Sequence, residues 1–215
     1  MLVEEIMNED PVYLHAGDSI EKALKYIDQH KIRHIPIVDE NHILTGIVSD
    51  RDIRDASPSI FHTRSQEEHL KKAVSRIMSV PVITANPLDV VEDAAVVLYN
   101  NGISSLPVTG DHDNLLGMVT ESTVLHTLVE LTGAHQPSSR IEVKANDRPG
   151  ELAAVTSIFH RKQMNVISVL VYPGRDDVSK YLAFRVQTMD PRDVIHDLKE
   201  AGYEVSWPRI PGLNE

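Results

Sequence analysis

Two stretches of twenty residues decide the fold of this chain: HIPIVDENHILTGIVSDRDI at residues 34–53 and SLPVTGDHDNLLGMVTESTV at residues 105–124. Each contains an apolar strand with a proline, a polar turn, a second apolar strand with a glycine, and a hydroxyl residue that opens a helical pattern. They lie 71 positions apart, and the alignment extends without a gap over residues 18–53 and 89–124. The chain therefore contains a tandem duplication, and each copy is predicted as short strand, helix, two strands and helix.

A helix precedes the paired strands in each copy. Asp18 and Glu21 in the first copy, and Asp89 and Glu92 in the second, have the spacing of an acidic capping box. The apolar residues on one face of these helices are Ile20, Ala23, Leu24 and Ile27 in the first copy and Val91, Ala94, Ala95 and Leu98 in the second. One copy of about fifty residues is too small to bury both faces of a sheet, so the copies are expected to share a core.

A third region follows a linker of small, polar and proline residues. Pro149 suits the first turn of a helix whose inner face is predicted to carry Leu152, Val155 and Phe159. A second helix begins at Asp190-Pro191 and ends at Gly202. The order strand, helix, strand, strand, helix, strand predicts a ferredoxin-like sandwich. The predicted boundaries are 1–60 for the first copy, 61–73 for a connector, 74–132 for the second copy, 133–139 for the linker and 140–215 for the third region.

Composition excludes several classes of protein. The 215 residues are 41% hydrophobic and 25% charged, as in soluble globular proteins. No apolar run approaches the ~20 residues needed to span a bilayer, and the N-terminus lacks the pattern of a secretory signal. The chain has no cysteine, which removes disulfides, thiolate metal sites and cysteine nucleophiles. The net charge of −11 lies within residues 1–137, since residues 138–215 are neutral overall. We expect a cytoplasmic protein that binds neither nucleic acid nor membrane, because phosphates would be repelled.

Signals for catalysis and metal binding are weak. The eleven histidines are scattered, and His62 and His69 in the connector lack a carboxylate at fixed spacing. The sequence has no glycine-rich phosphate loop and no G-x-S-x-G motif, and Ser138, Ser139 and Thr120 have no evident paired base. We therefore predict no catalytic residue, no metal site and no obligatory cofactor.

The duplicated region resembles a pair of CBS motifs, which together form a Bateman module. The residues that carry this resemblance are HIPIVD and SLPVTG, each followed by Gly-apolar-apolar-Ser/Thr, with Asp three positions later in the first copy. Residues 140–215 resemble an ACT domain, through IEVKANDRPGELAAV and MNVISVLV. The order CBS-CBS-ACT is similar to that of acetoin-utilisation proteins of the AcuB type. The resemblance implies an α/β to α+β fold, with a tandem CBS pair followed by a ferredoxin-like βαββαβ ACT domain.

The CBS resemblance implies an adenine-nucleotide pocket in the cleft between the repeats. It assigns Ser49 as the hydroxyl on the phosphate side and Asp52 as the ribose anchor, since an ionised carboxylate accepts hydrogen bonds from both vicinal hydroxyls. The second copy keeps Thr120 but has Thr123 in place of the carboxylate. We therefore predict one competent pocket and one weak or vacant pocket. The alternative is that Ser49 and Asp52 only cap the following helix.

Basic residues also distinguish the two copies. Arg33 and His34 precede Ile35 in the first copy, where the second copy has Ser104 and Ser105. In related CBS modules, residues at this position reach ligand phosphates, and the resemblance adds Arg33, His34 and Ile35 to the nucleotide site. Sequence leaves open which pocket Arg33 and His34 serve, and they are equally compatible with a solvent-facing strand edge.

The ACT resemblance implies an effector site in the loop Asp147, Arg148, Pro149 and Gly150 and at Asn165 and Val166. Gly150 would allow close backbone approach, and Arg148 would add a fixed positive charge. The alternative, which the sequence favours, is that these are turn residues in a domain that forms dimers by sheet pairing.

The resulting prediction is a non-catalytic regulatory protein. It would be a homodimer that senses AMP, ADP, ATP or S-adenosylmethionine in the CBS cleft and signals to the ACT domain or to a metabolic enzyme partner. The AcuB-like resemblance implies a role in acetoin or butanediol catabolism, or in metabolism linked to acetyl-CoA. Two alternatives remain: a ligand-free dimeric scaffold, and an enzyme acting on the nucleotide, against which the missing base and metal cluster argue.

Overall fold

The computed structural model describes residues 1–56, 68–176 and 178–208. It forms two compact units, Met1–Leu125 and His126–Glu215. The first unit contains the first copy of the repeat and the second copy as far as Leu125, and the second unit contains the ferredoxin-like domain. Most of the predicted connector, with His62, lies outside the described residues.

The first copy of the repeat has the predicted order of elements, and the second copy has the same order without the short first strand. The first contains β1 (Leu14–His15), α1 (Ile20–His30), β2 (His34–Val38), β3 (Leu44–Ser49) and α2 (Asp50–Ala56). The second contains α3 (Val91–Asn101), β4 (Ser105–Thr109), β5 (Leu115–Thr120) and α4 (Glu121–Leu131). In the first copy β1 runs parallel to β2, and β2 is antiparallel to β3. In the second copy β4 and β5 are antiparallel, and a single parallel bridge from Ala85 to Val108 replaces the short strand.

The residues that lead into each copy pack against the other copy. Val3 lies in the core of the second repeat, and Val74 lies in the core of the first. The N–H of Asn8 donates to the carbonyl of Met118 at 2.9 Å, and the N–H of Ser79 donates to the carbonyl of Ile47 at 2.8 Å. Each repeat core is therefore completed by the segment that precedes its partner, which the sequence analysis did not predict.

Two equivalent glycines make this exchange possible. A Cβ built on Gly46 would lie 2.6 Å from Met78 Sδ, and one built on Gly117 would lie 2.7 Å from Met7 Sδ. The Gly117 position is tighter, because the same Cβ would also lie 2.8 Å from the backbone carbonyl oxygen of Asn8. The glycine in each duplicated stretch therefore leaves room for the leading segment of the other copy.

The residues predicted to cap the first helices lie one position too early. Ser19 caps α1, and its Oγ accepts from the N–H of Lys22 at 3.2 Å. Asp18 instead accepts from the N–H of His15 at 2.9 Å, and Asp89 accepts in the same way from the residue three positions before it. Both carboxylates therefore close the turn before the helix rather than cap the helix itself.

The second unit has the predicted βαββαβ order. Its elements are β6 (Ser139–Asn146), α5 (Glu151–Arg161), β7 (Val166–Pro173), β8 (Ser179–Val186), α6 (Arg192–Glu200) and β9 (Glu204–Trp207). The strands form one antiparallel sheet in the order β7-β8-β6-β9. The helices cover one face, where Phe159 and Phe184 meet with ring centroids 4.7 Å apart.

The first helix of this unit differs in detail from the prediction. It begins at Glu151, with Gly150 at the N-cap, so Pro149 lies before the helix rather than in its first turn. Val155 and Phe159 are buried as predicted, but Leu152 is 38% exposed and lies off the inner face. Among helices in the described ranges, none has the length and apolar character that crossing a bilayer requires.

Candidate functional site

The larger of two cavities at the meeting of the repeats has a volume of about 750 Å³. The first repeat contributes Arg33, His34, Ser49 and Asp52, and the second contributes Ser104 and Ser105. Residues 81–83, from the segment that leads into the second repeat, close another side. The volume lies within the range of small-molecule sites in proteins.

Asp52 is held in place by Ser49 at the junction of β3 and α2. Its Oδ2 accepts from both the N–H and the hydroxyl of Ser49, each at 2.7 Å, and Ser49 Oγ accepts from the N–H of Asp52 at 3.2 Å. This is the reciprocal geometry of a helix cap. Within the described residues, Asp52 Oδ1 has no hydrogen-bond partner. One carboxylate oxygen therefore remains available to a ligand, whereas the hydroxyl hydrogen of Ser49 is directed to Asp52.

The second copy repeats this geometry without the charge. Thr120 Oγ1 lies 2.9 Å from Thr123 Oγ1 and accepts from the N–H of Thr123 at 3.2 Å. Thr120 borders a second cavity of about 420 Å³, but Thr123 is not among the residues that line it. The two copies thus have the same local geometry, with a carboxylate at Asp52 and a hydroxyl at Thr123. That the second pocket binds a nucleotide more weakly stays a prediction.

The sequence left open which pocket Arg33 and His34 serve. In the structure both residues border both cavities. His34 Nε2 lies 3.4 Å from Ser104 Oγ of the other repeat. Burial lowers the pKa of His34, and the opposing influence of Asp50 and Asp52 does not offset it. Ile35, which was predicted with them, is fully buried in the core of the first repeat and lines neither cavity.

Sequence reasoning missed several residues that border the cavities. Arg51 and Arg54 line the larger cavity, and Arg54 is paired with Asp50, whereas Arg51 has no ion-pair partner in the part of the chain that the structure describes. Lys31 lines the smaller cavity. Arg51 directly precedes Asp52, so its place in the motif was a usable signal. Residues 81–83 reach the cavity only through the exchanged segments, which no local pattern reveals.

In the second unit, the predicted effector loop already makes contacts within the chain. Asp147 Oδ1 accepts from Lys180 Nζ at 3.1 Å, and Arg148 Nε donates to Glu151 Oε1. Gly150 has φ of +92°, and a Cβ built there would meet nothing within 4 Å. The left-handed backbone, rather than close approach of another group in the chain, is therefore what favours glycine at this position.

The other half of the predicted effector site lies elsewhere. Val166 pairs with Val186 at one end of β8, whereas Asn146, beside the loop, pairs with Ser179 at the other end. Seven residue steps along a strand correspond to about 23 Å. Asn165 and Val166 therefore do not form one site with residues 147–150 within a single chain.

A small cavity of about 340 Å³ lies beside the same loop. Its wall includes Glu151, which is 5% exposed and also accepts from Tyr203 OH at 3.3 Å. Burial raises the pKa of Tyr203, and the neighbouring Glu151 carboxylate adds to this effect. Across the described ranges, no group of three or more His, Asp or Glu has an arrangement that would hold a metal ion.

Comparison with known protein families assigns both parts of the chain. The CBS domain model matches residues 3–59 and 74–130, and the ACT domain model matches residues 139–202. A CBS domain-containing protein of Dictyostelium discoideum is 31% identical over 143 residues, covering 65% of this chain and 99% of that protein. Several enzymes also match, but this chain spans only 21% to 25% of their lengths.

Two solved structures are informative. The CBS domain pair of protein MJ0100, in complex with 5'-methylthioadenosine and S-adenosyl-L-methionine, is 32% identical with a TM-score of 0.52 and covers 63% of this chain and 98% of that chain. An acetoin utilization protein (AcuB) from Vibrio cholerae is 28% identical with a TM-score of 0.54, and it covers 64% of this chain and 98% of that chain.

Proposed function

Because this chain belongs to the CBS-domain family and carries an ACT domain after its two CBS domains, we propose that it is a regulatory protein that binds an adenine nucleotide in the larger cavity. CBS and ACT domains are regulatory modules. The single observation that carries the proposal is the available carboxylate oxygen of Asp52 in a cavity of about 750 Å³ formed by both repeats. The complex of the MJ0100 CBS pair with two adenosine derivatives supports the same ligand class.

The chemistry of the site suits a ribose. Its two vicinal hydroxyls donate hydrogen bonds to Asp52, and charge-assisted bonds of this kind contribute about 1.5–3 kcal/mol each. Ser49 fixes the carboxylate before the ligand arrives, so less side-chain freedom is lost on binding. Arg51 and Arg33 border the same cavity and would receive the phosphate groups of AMP, ADP or ATP, whereas S-adenosylmethionine would leave them solvated.

Calorimetry with AMP, ATP and S-adenosylmethionine tests the proposal. Asp52→Asn keeps the shape of the side chain and removes its charge, and we expect it to weaken the tightest ligand at least about tenfold. Asp55→Asn is the matched control, because Asp55 lies on the same helix but does not line the cavity. Equal affinities in wild-type protein and Asp52→Asn would remove Asp52 as the ribose anchor.

We also propose that the protein is a cytoplasmic homodimer in which β7 pairs with β7 of a second copy. This strand is an edge of the sheet, and Val169, Leu170 and Val171 in it are 39%, 51% and 51% exposed. Exposed apolar edge strands favour pairing with another strand. Val171→Lys is expected to shift the mass measured by light scattering from dimer to monomer. Val178→Lys, the same change in an exposed turn, should leave a dimer.

The physiological role we propose is control of acetoin or butanediol catabolism, or of metabolism linked to acetyl-CoA, through a metabolic enzyme partner. The similarity to the AcuB protein of Vibrio cholerae supports this role. Deletion of the gene is expected to slow growth on acetoin but not on glucose. Wild-type protein should restore growth and Asp52→Asn should not, while normal growth of the deletion strain on acetoin would contradict the role.

A ligand-free dimeric scaffold is the second candidate. The reciprocal bonds of Ser49 and Asp52 favour it, because they satisfy much of the carboxylate without any ligand. A thermal-shift series separates the candidates, since a ligand that binds only the folded protein raises its melting temperature. No shift with any adenosine derivative would favour the scaffold, and product formation in the same samples would instead indicate an enzyme.

A further inference from the structure

The outer face of α3, in the second repeat, carries exposed apolar side chains. Val96 and Tyr99 lie one turn apart on this helix and are 55% and 85% exposed. Leu88 and Val90, which directly precede the helix, are exposed as well. A helix with apolar residues on its outer as well as its inner face is typically covered on both sides. Large apolar side chains grouped in this way mark surfaces that bind other molecules.

The equivalent helix of the first repeat, α1, has a polar outer face. Lys25 and Asp28 take the positions of Val96 and Tyr99, and both are exposed. The two helices have the same place in their repeats, so the fold does not require apolar residues at these positions. The apolar outer face of α3 therefore needs a reason outside the packing of the repeat.

The charge at the start of α3 also differs from that of α1. In the first repeat, Lys22 Nζ pairs with Asp18 at 2.8 Å. The second repeat has Asp93 and Asp89 at these two positions, and like charges at this spacing repel each other. Glu92 adds a third carboxylate beside them. Negative charge thus replaces an ion pair next to the exposed apolar residues.

The second repeat supplies little positive charge to balance these three carboxylates. None of them has an ion-pair partner among the residues that the structure describes. Residues 74–132 contain seven acidic residues and a single Lys or Arg, which is Arg76. A surface of this kind is complementary to one that presents apolar and basic side chains together.

We propose that the α3 face, formed by Leu88, Val90, Val96 and Tyr99 with the adjacent carboxylates, is a docking surface for a basic amphipathic helix of a partner protein. The apolar side of such a helix covers Val96 and Tyr99, and its Lys or Arg side chains reach the carboxylates. A second copy of this chain fits less well, because a two-fold contact places the same carboxylates opposite each other.

The probe for the test is a short peptide of leucine and lysine in the order of an amphipathic helix. The peptide is fluorescently labelled, and its binding to the full chain is followed by anisotropy. Saturable binding is expected. A peptide of the same composition in scrambled order has no apolar side, and it should bind at least about tenfold more weakly. Equal affinities would reduce the binding to attraction between net charges and would overturn the docking surface.

A double variant removes the apolar side chains without changing the net charge. Val96→Lys combined with Tyr99→Asp gives α3 the pair that α1 has, and it should weaken the ordered peptide at least about tenfold. Both positions are exposed, so the melting temperature should stay near that of wild type. Tyr99→Ser alone should weaken binding several-fold, and it keeps the test open if the double variant fails to fold. Wild-type affinity in Tyr99→Ser would remove this side chain from the surface and overturn the proposal.

A charge variant tests the role of the carboxylates. Asp93→Lys restores the pairing that Lys22 makes in the first repeat, and it should weaken the ordered peptide about tenfold. Asp28→Lys makes the same change of charge on the outer face of α1 and is the matched control. The control should lose much less affinity. Equal losses in the two variants would show that the peptide reads only the net charge of the chain.

Light scattering tests the second copy as the occupant. Wild type and the double variant should have the same mass, because the dimer proposed above forms through β7. A lower mass in the double variant would assign the α3 face to a second copy and would overturn a partner helix. The docking surface does not depend on the nucleotide function. A chain that binds AMP but not the ordered peptide would lose only the docking surface, and the reverse result would leave only the docking surface.

Discussion

The two CBS repeats place different side chains on equivalent backbone positions. His34 pairs with Ser49 across β2 and β3, and Ser105 pairs with Thr120 across β4 and β5. A hydroxyl closes the second strand and caps the following helix in both copies, yet only in the first copy does a carboxylate, that of Asp52, accept hydrogen bonds back from the capping residue. The comparison teaches that the cap keeps the fold with either pair of residues, so the charge at this position is free to serve another purpose.

The largest expected effect comes from giving the first copy the side chain of the second. Asp52→Thr keeps a hydroxyl for the cap but removes both charged acceptors. We expect nucleotide affinity to fall about a hundredfold, the equivalent of two weakened charge-assisted bonds. Calorimetry measures the change, and Asp55→Thr, on the same helix but outside the wall of the larger cavity, provides the control. A Kd that moves less than about threefold would show that the carboxylate serves only the cap.

A smaller effect is expected from the two glycines that receive the exchanged segments. Gly117→Ala should lower the free energy of unfolding by about 1–3 kcal/mol, because the added Cβ meets the backbone of Asn8. Gly46→Ala should cost less, since Met78 Sδ is the end of a flexible side chain and can move. Urea denaturation of both variants gives the comparison. An equal loss of unfolding free energy in the two variants would mean that the backbone of Asn8 moves away from the added Cβ as easily as the side chain of Met78 does.

The smallest expected effect is a difference in stability between variants of the two turns that precede α1 and α3. Asp18 and Asp89 each accept a backbone N–H, but only Asp18 also accepts from a lysine, Lys22 Nζ at 2.8 Å. Asp18→Asn should therefore cost more stability than Asp89→Asn, by less than about 1 kcal/mol because the ion pair is partly exposed. High salt should reduce the difference, and a larger loss in Asp89→Asn would contradict this assignment.

The same pair has a defined pH dependence. Burial raises the pKa of Asp18, but the hydrogen bonds from Lys22 and His15 outweigh it, so the net pKa is lowered. A lowered folded-state pKa stabilises the protein above the unfolded value of about 4, and this contribution is lost as pH falls through the folded value. Denaturation of wild type and Asp18→Asn should therefore converge at acidic pH. A difference that is unchanged at acidic pH would rule out the charge as its source.

The order of elements followed from the sequence because its signals are local. Strand alternation, turn residues such as those at 39–42, and the duplicated spacing are properties of neighbouring residues. The helix start at Ser19 rather than Asp18 was missed because two adjacent residues have cap-forming side chains, and only the backbone geometry chooses between them. Leu152 was placed inward by its spacing, yet its position in the first turn leaves it partly exposed.

The candidate site was predictable only where one motif carries it. Ser49 and Asp52 follow from the stretch GIVSDRDI and the CBS resemblance, and the structure brings them together. Lys31 and residues 81–83 were missed because they reach the cavities through contacts between distant parts of the chain. Ile35 shows the opposite case, since its neighbours in sequence face a cavity while strand alternation turns its own side chain into the core.

Because the leading segments are exchanged, the stability of the second repeat depends on the first residues of the chain. Val3 and Met7 belong structurally to the distal repeat, more than eighty residues away along the chain. Removing the first residues, or fusing another protein rigidly to them, should therefore perturb the packing around Gly117 before it perturbs the nearby β1. If the polypeptide were divided between the copies, each fragment would carry the leading segment that packs into the core of the other. Mixing the two fragments should therefore be needed to recover a folded pair.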